Sequence, residues 1–596
     1  MKSPLRLLLA AALLLTPVLA APPATADDTK TLSIGISSEG VDSLNPFLAY
    51  FSPAALIGRL MYEFLTTTSA KDVQPVGALA DKWSYSNDKL TWTYHIRKGV
   101  TWSDGKPVTA KDAAFTFNLI MHNPDAAKAN GNYVQNFSSV TAKDDQTLVI
   151  RTRAPQATMT ALRVPIVPEH VWKKIKSIRN YPNDDTPVVG DGPFVLTEYK
   201  AGQYATLTAN DHYWRGRPKV DRIVFRFYSN SDAAVQSLRK GEVDLVDNLT
   251  PAQADKLKGE DNIKLNIAQG RQFVELSMNP GAASTDGTPI GDGNPALRDV
   301  RVRQALSYAI DRKALVDKVL GGYAQPGDGY IPKLYSQYHW TPAKSERRDF
   351  DIDKANQILD AAGYKRDSGG TRHMPGGGKA LNLRFLGHAE TPLEGTIGNY
   401  LKSWFGRLGI GLDVKLVSGT KLNTDLPNGQ YDLVMGGWNV NADPDSILHI
   451  QTCSARPEDP KDPTSSSTDD YWCDKKFDQL YAQQLRTFDP APRAALIKQM
   501  QKIYYDQVPS DILYYPNTLE AYRTDRFKPF TLQPDPGGQI LMQQADWGLY
   551  EANPQPSSGG NTAVTVVKAI VGVAIVVALG FVAVALRRRQ TADDRE

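Results

Sequence analysis

Cysteine is almost missing from this 596-residue chain: Cys453 and Cys473 are the only two. Two thiols cannot furnish a zinc site built from four cysteines. His449, four residues before Cys453, has no second His/Cys cluster to complete a metal centre. In an oxidising compartment the pair reads instead as a structural disulfide, worth about 3 kcal/mol through restriction of the unfolded loop. A basic excess is lacking too. Lys and Arg number 68 against 65 Asp and Glu, a net charge of +3 spread along the chain. A nucleic-acid partner therefore has no electrostatic support. The sequence contains no His-Glu-x-x-His, no Gly-x-Ser-x-Gly elbow and no Gly-x-x-x-x-Gly-Lys phosphate loop, which argues against an enzyme. Gly291-Asp292-Gly293-Asn294-Pro295-Ala296 imitates a dinucleotide loop but lies in a polar connection without a preceding strand. No cofactor is implied.

Long apolar runs are confined to the two ends. Lys2 and Arg6 precede an apolar run from Leu7 to Leu19, and Ala24-Thr25-Ala26 follows as a small-residue cleavage site. This order is that of a secretory signal over residues 1–26. No Cys follows it, so a lipid anchor is not expected there. Residues 569–586 are uncharged and apolar, about 27 Å long as a helix, and Arg587, Arg588 and Arg589 come next. The expectation is a transmembrane helix at 569–586 behind a Pro/Ser/Gly tether at 554–568. Residues 587–596 would form a short cytoplasmic tail, and the bulk of the chain would lie on the extracellular side of the cell membrane.

The exterior of some 525 residues exceeds a single core and predicts two or more lobes. Tyrosine (26) and tryptophan (10) are plentiful, as in a protein that lines a cleft with rings. Strand patterns at Leu32–Ile36, Leu90–Ile96, Thr147–Arg151, Ile223–Phe227 and Leu381–Leu386 alternate with helical ones. The helical patterns cover Ala110–Met121, Ala233–Lys240, Val300–Leu320, Asp351–Ala362, Glu394–Leu408 and Ala491–Asp506. From Leu381 the order strand, helix, strand, strand predicts a βαβ lobe with a partly parallel sheet.

Within this pattern stands a long motif. Ala78-Leu79-Ala80-Asp81-Lys82-Trp83 leads to Leu90 through Val100, then to Trp102-Ser103-Asp104-Gly105-Lys106-Pro107-Val108-Thr109-Ala110-Lys111-Asp112. Physically this is a hairpin, a tight Asp-Gly turn and a helix capped by Thr109 with Asp112 at N3. It resembles the defining motif of the family 5 solute-binding proteins, the oligopeptide, dipeptide and nickel-binding group of ABC importers. Val189 to Phe194, Asn210 to Pro218 and Arg301 to Arg312 resemble further motifs of that family in the same order.

The resemblance implies an α/β bilobed clamp of the periplasmic-binding-protein type II kind. Lobe I would take 27–275 with an extra subdomain at about 63–185, lobe II 276–508, and 509–553 would return to lobe I. Crossing strands near Arg271 to Met278 and Ser510 to Tyr515 would form the hinge. It further implies a monomer that captures a peptide and delivers it to ABC permease subunits. The alternatives are a sugar or nickel chelate in the same fold, or a membrane-tethered receptor that signals.

For the ligand site, the resemblance points to Asn45 and Phe47 at an Asn-Pro corner, and to Trp438, Asn439, Asn441 and Asp443 after a lobe II strand. Peptide-binding relatives place an Asp a few residues after this Trp to pair with the ligand's α-ammonium. Asn441 stands there instead. Either Asp443 takes that role or no free N-terminus is read; the structural alternative for Asp443 is capping of the helix that follows Pro444. Arg271 on a crossing strand, Tyr514 and also Tyr50, Tyr515 and His388 complete the candidates. No Arg occurs between Leu386 and Tyr400, which disfavours a dipeptide clamp and favours a longer peptide.

Overall fold

A computed structural model of the chain describes residues 29–37, 41–49, 51–463, 467–468, 470–542 and 545–556. The signal segment, Tyr50, most of the tether, the apolar run at 569–586 and the tail lie outside the described residues. Among the described residues no helix is long and apolar enough to cross a membrane.

The first strand shows why the chain sorts into lobes. In Thr31–Ser37 the side chains of Leu32, Ile34 and Ile36 are buried, the period-two pattern of a strand with one face in a core. It pairs in parallel with both Arg222–Tyr228 and Leu245–Val246. Antiparallel neighbours extend the sheet to Ile263–Ala268 at one edge and Phe194–Lys200 at the other, seven strands in all. This is lobe I. An antiparallel four-stranded sheet, Ala80–Tyr85, Thr91–Ile96, Thr147–Thr152 and Phe137–Ala142, forms the extra subdomain. Its helix Ala110–His122 starts with the capping box read from the sequence, Asp112 accepting from the Thr109 amide at 2.9 Å.

Lobe II is a six-stranded sheet in the order Ala324–Pro326, Ser510–Pro516, Gln272–Met278, Leu433–Asn439, Asn382–His388, Gly411–Val417. Asn382–His388 runs parallel to both Gly411–Val417 and Leu433–Asn439. The helix Pro392–Arg407 makes the crossover, as the βαβ pattern predicts.

Two boundaries move. Gln272–Met278 and Ser510–Pro516 pair with each other in the lobe II sheet, so residues 272–275 and 510–516 belong to lobe II rather than lobe I. The chain crosses at 269–271 and again at Asn517. Hydrophobic pattern alone does not reveal which sheet a buried strand joins. The crossings touch: a Cβ on Gly270 would stand 2.0 Å from the Pro516 carbonyl oxygen. The expected helix Val300–Leu320 is also interrupted. It stops at Tyr308, and Asp311 caps a new start through the Ala314 amide at 2.9 Å. A capping side chain inside an apolar period ends one helix and begins another.

Candidate functional site

Between the lobes lies a cavity of about 560 Å³, within the size range of small-molecule sites. Lobe I and its subdomain contribute Arg59, Thr66 to Thr68, Tyr133 and Arg163. Lobe II contributes Tyr338, Asn441, Asp443, Asp445, His449 and Tyr481. A smaller cavity of about 330 Å³ sits at the crossings, lined by Ser52, Asp247, Gly270, Arg271 and Asn439 among others.

The lobe I wall is set by the helix Ser52–Met61, which carries Arg59 in its last turn. Its end is clamped by the Gly190-Asp191-Gly192 segment. A Cβ on Gly190 would fall 2.1 Å from the Met61 carbonyl oxygen, and one on Gly192 2.3 Å from that of Leu60. Asp191 then accepts the Glu63 amide at 2.9 Å. The Tyr213-Trp214-Arg215 turn locks the same corner: Tyr213 hydroxyl and Trp214 Nε1 both donate to Glu63, and Arg215 faces Glu63 and Asp546. Two motifs recognised in the sequence therefore act as scaffold for one wall of the cavity.

On the facing wall, Asp443 forms a bidentate pair with Arg493, 2.6 and 2.8 Å. It also accepts the Asp445 amide at 3.0 Å, across the start of the short helix Asp445–His449. Burial would lower the Arg493 guanidinium, but Asp443 beside it holds it above its usual range. Asp443 is thus engaged within the protein, chiefly by Arg493. Asp445, the neighbour that also lines the cavity, accepts from Gln484 at 2.9 Å. Burial, and then the charge of Asp443, push its carboxyl up to about 6. Asn441 receives the Arg163 guanidinium at 2.6 Å, a hydrogen bond from the lobe I side to lobe II.

The remaining candidates divide. Asn45 is fully buried and donates its amide to the Ile178 and Tyr181 carbonyls at 3.1 and 2.7 Å, while Phe47 packs edge-on against Trp172. The Asn-Pro corner is an internal staple, and neither side chain lines either cavity. Tyr514 is buried in the lobe II core, where desolvation pushes its phenol up. Tyr515 donates to Asp328 at 2.9 Å. A strand whose two faces are both covered gives no sequence sign of which ring faces a ligand. Trp438 is 37% exposed but lines neither cavity, since side chains alternate along Leu433–Asn439 and its neighbour Asn439 faces the crossing cavity. Arg271 lines that same cavity and donates to Ser52 at 3.1 Å. Desolvation lowers it to about 10. His388 is held by Glu394 at 3.0 Å. Arg59, Tyr133, Arg163 and Tyr481 were not legible as site residues, because no motif contains them.

Cys453 and Cys473 are joined, with Cα atoms 4.5 Å apart. Among the described residues no group of three or more His, Cys, Asp or Glu is placed to hold a metal ion.

Comparison with known proteins agrees with this architecture. The oligopeptide-binding protein AppA of Bacillus subtilis is 26% identical over 497 residues, covering 78% of this chain and 84% of that protein. The structure of the AppA protein of Bacillus subtilis in complex with a nonapeptide superposes with a TM-score of 0.67 at 21% identity, over 88% of this chain and 99% of that one. NikZ of Campylobacter jejuni in complex with Ni(L-His) gives 0.69 at 22% identity, over 88% and 99%. At such identities the two structures speak for the fold alone. Residues 74–458, well over half of the chain, match the family model described as bacterial extracellular solute-binding proteins, family 5 Middle. With two lobes joined by two touching crossings and a cavity between them, this chain belongs to the family 5 bacterial extracellular solute-binding proteins.

Proposed function

We propose that this protein captures a peptide between its two lobes and delivers it to the permease of an ABC importer. The observation that carries the reading is the interlobe cavity. Its walls come from both lobes, and hydrogen-bonding groups and rings line it, as suits an extended main chain. The likeness to peptide-binding relatives supports the same class. Closure of the lobes over the ligand is a shift between open and closed states, driven by the ligand's preference for the closed one.

Surface display belongs to the same proposal. A cleaved signal at 1–26 exports the chain, and an apolar helix at 569–586, stopped by Arg587 to Arg589, keeps it on the outer face of the membrane. Deleting 569–596 is expected to move the protein from the membrane fraction to the medium. Retention in the membrane would overturn the anchor.

Ligand class is tested with the purified full-length protein. Thermal shift against pooled tripeptides to hexapeptides, sugars and a nickel–histidine chelate is expected to show stabilisation by peptides, through mass action. Stabilisation by a sugar or the chelate with none by peptides would replace the peptide reading.

A further inference from the structure

The charged residues of the interlobe cavity are not mixed. Among the described residues, the carboxylates that line it, Asp443 and Asp445, lie on lobe II, and the guanidiniums, Arg59 and Arg163, lie on the lobe I side. Within lobe II the first acid is neutralised by Arg493. On the lobe I side the balance is different. Arg59 is 5% exposed, and among the described residues no carboxylate lies within ion-pair distance of it. The acids that act on its charge, Asp546 and Glu63, are faced by Arg215 at 3.6 and 3.9 Å, and Tyr213 and Trp214 donate to Glu63 as well, so the corner holds two carboxylates against the guanidiniums of Arg59, Arg163 and Arg215.

Arg59 is nonetheless held firmly. Its guanidinium lies 3.6 Å from the centre of the Phe64 ring and donates to the Thr67 hydroxyl at 3.3 Å. Its place in the last turn of Ser52–Met61 lets the negative end of the helix dipole offset part of the charge. These contacts do not replace a counterion, and a desolvated charge without one is costly. Burial, and then the neighbouring Arg163, lower Arg59 to about 10. A buried guanidinium that is rigidly placed on the wall of a closable cavity, without an ion pair of its own and beside a second guanidinium, has the design of an anion receptor.

We propose that Arg59 binds a carboxylate of the captured ligand, with Arg163 as the second guanidinium on the same wall. This rests on the interlobe cavity being the ligand site. The carboxylate would be either the C-terminus of a peptide or an acidic side chain; the chemistry is the same and the probes separate them.

The test uses pooled tripeptides to hexapeptides without Asp or Glu as free acids, the same pool as C-terminal amides, and an amidated pool containing Glu. Bound peptide is quantified by mass spectrometry on the full-length protein and on Arg59→Met, which keeps the length and apolar stem. Wild type is expected to bind the free acids roughly 10- to 100-fold more tightly than the neutral amides. Arg59→Met should erase that preference while raising the melting temperature of the empty protein, an effect a merely structural arginine would not produce. Selective capture of the Glu-containing amides would also support the site and would assign the carboxylate to a side chain. Equal binding of acids and all amides by wild type would overturn the anion site while leaving peptide capture intact; this comparison needs no variant to fold. If no pool binds, peptide capture itself fails. The anion site is then judged with citrate, which should stabilise wild type but not Arg59→Met, and absence of that difference would overturn it.

Discussion

Asp443 commits both carboxylate oxygens to Arg493, and both side chains are largely removed from solvent. Breaking such a pair from one side leaves an uncompensated buried charge. Asp443→Ala is therefore expected to destabilise the fold by about 3–5 kcal/mol in urea denaturation. The double variant Asp443→Leu with Arg493→Met should recover most of that. A loss of ligand affinity without a loss of stability would restore Asp443 as a direct ligand contact. Asp445 next to it predicts a pH dependence. Its carboxyl is raised from 3.8 to about 6, facing Asp443, Arg493, Gln484 and Tyr481. A raised carboxyl disfavours the ionised folded state, so the cost is absent below about 3.8 and grows as pH rises towards 6. It is fully present above that. Stability of the empty protein should fall across this window, and Asp445→Asn should flatten the fall. An unchanged pH profile in that variant would contradict the assignment. At this scale the sequence was informative about neighbourhood and poor about role. The segment Asn441 to Asp445 borders the cavity, yet which of its two acids is paired with an arginine depends on the distant helix Pro490–Gln507, which brings Arg493.

Elements were read well where side-chain period and capping agree. Ala110–His122, Ile352–Ala361 and Pro392–Arg407 stand within about two residues of expectation because each combines an apolar stripe with a start signal. Val300–Leu320 failed because Asp311 sits where the apolar period continues past it. The crossings carry the prediction for this scale. Gly270 passes so close to Pro516 that Gly270→Ala places a methyl against a backbone carbonyl. The two strands must then part, at about 1–3 kcal/mol, the usual cost of overpacking. Thermal denaturation and ligand affinity should both change. A variant with wild-type values in both would show that the crossings tolerate separation and do not act as a tight hinge.

For the whole molecule, the hydrogen bond from Arg163 to Asn441 reaches across the cavity from the lobe I side to lobe II. Asn441→Ala removes the acceptor and should shift the empty protein towards more open shapes. Small-angle scattering is expected to show a larger radius of gyration, and stopped-flow measurements faster ligand release. If neither changes, the bond contributes nothing to closure. What the sequence determined by itself is the family, the lobes and most elements, since motifs, periodicity and caps are local and survive without knowledge of contacts. Asn45, Phe47 and Tyr514 looked like cleft residues on the same grounds and are interior staples and core. Only the tertiary structure decided the site, because a cavity wall is made of residues far apart in the chain: Arg59 reaches it from a helix end and Arg163 from a subdomain loop. The burial of Arg59, and its lack of an ion pair among the described residues, arise only when those segments meet.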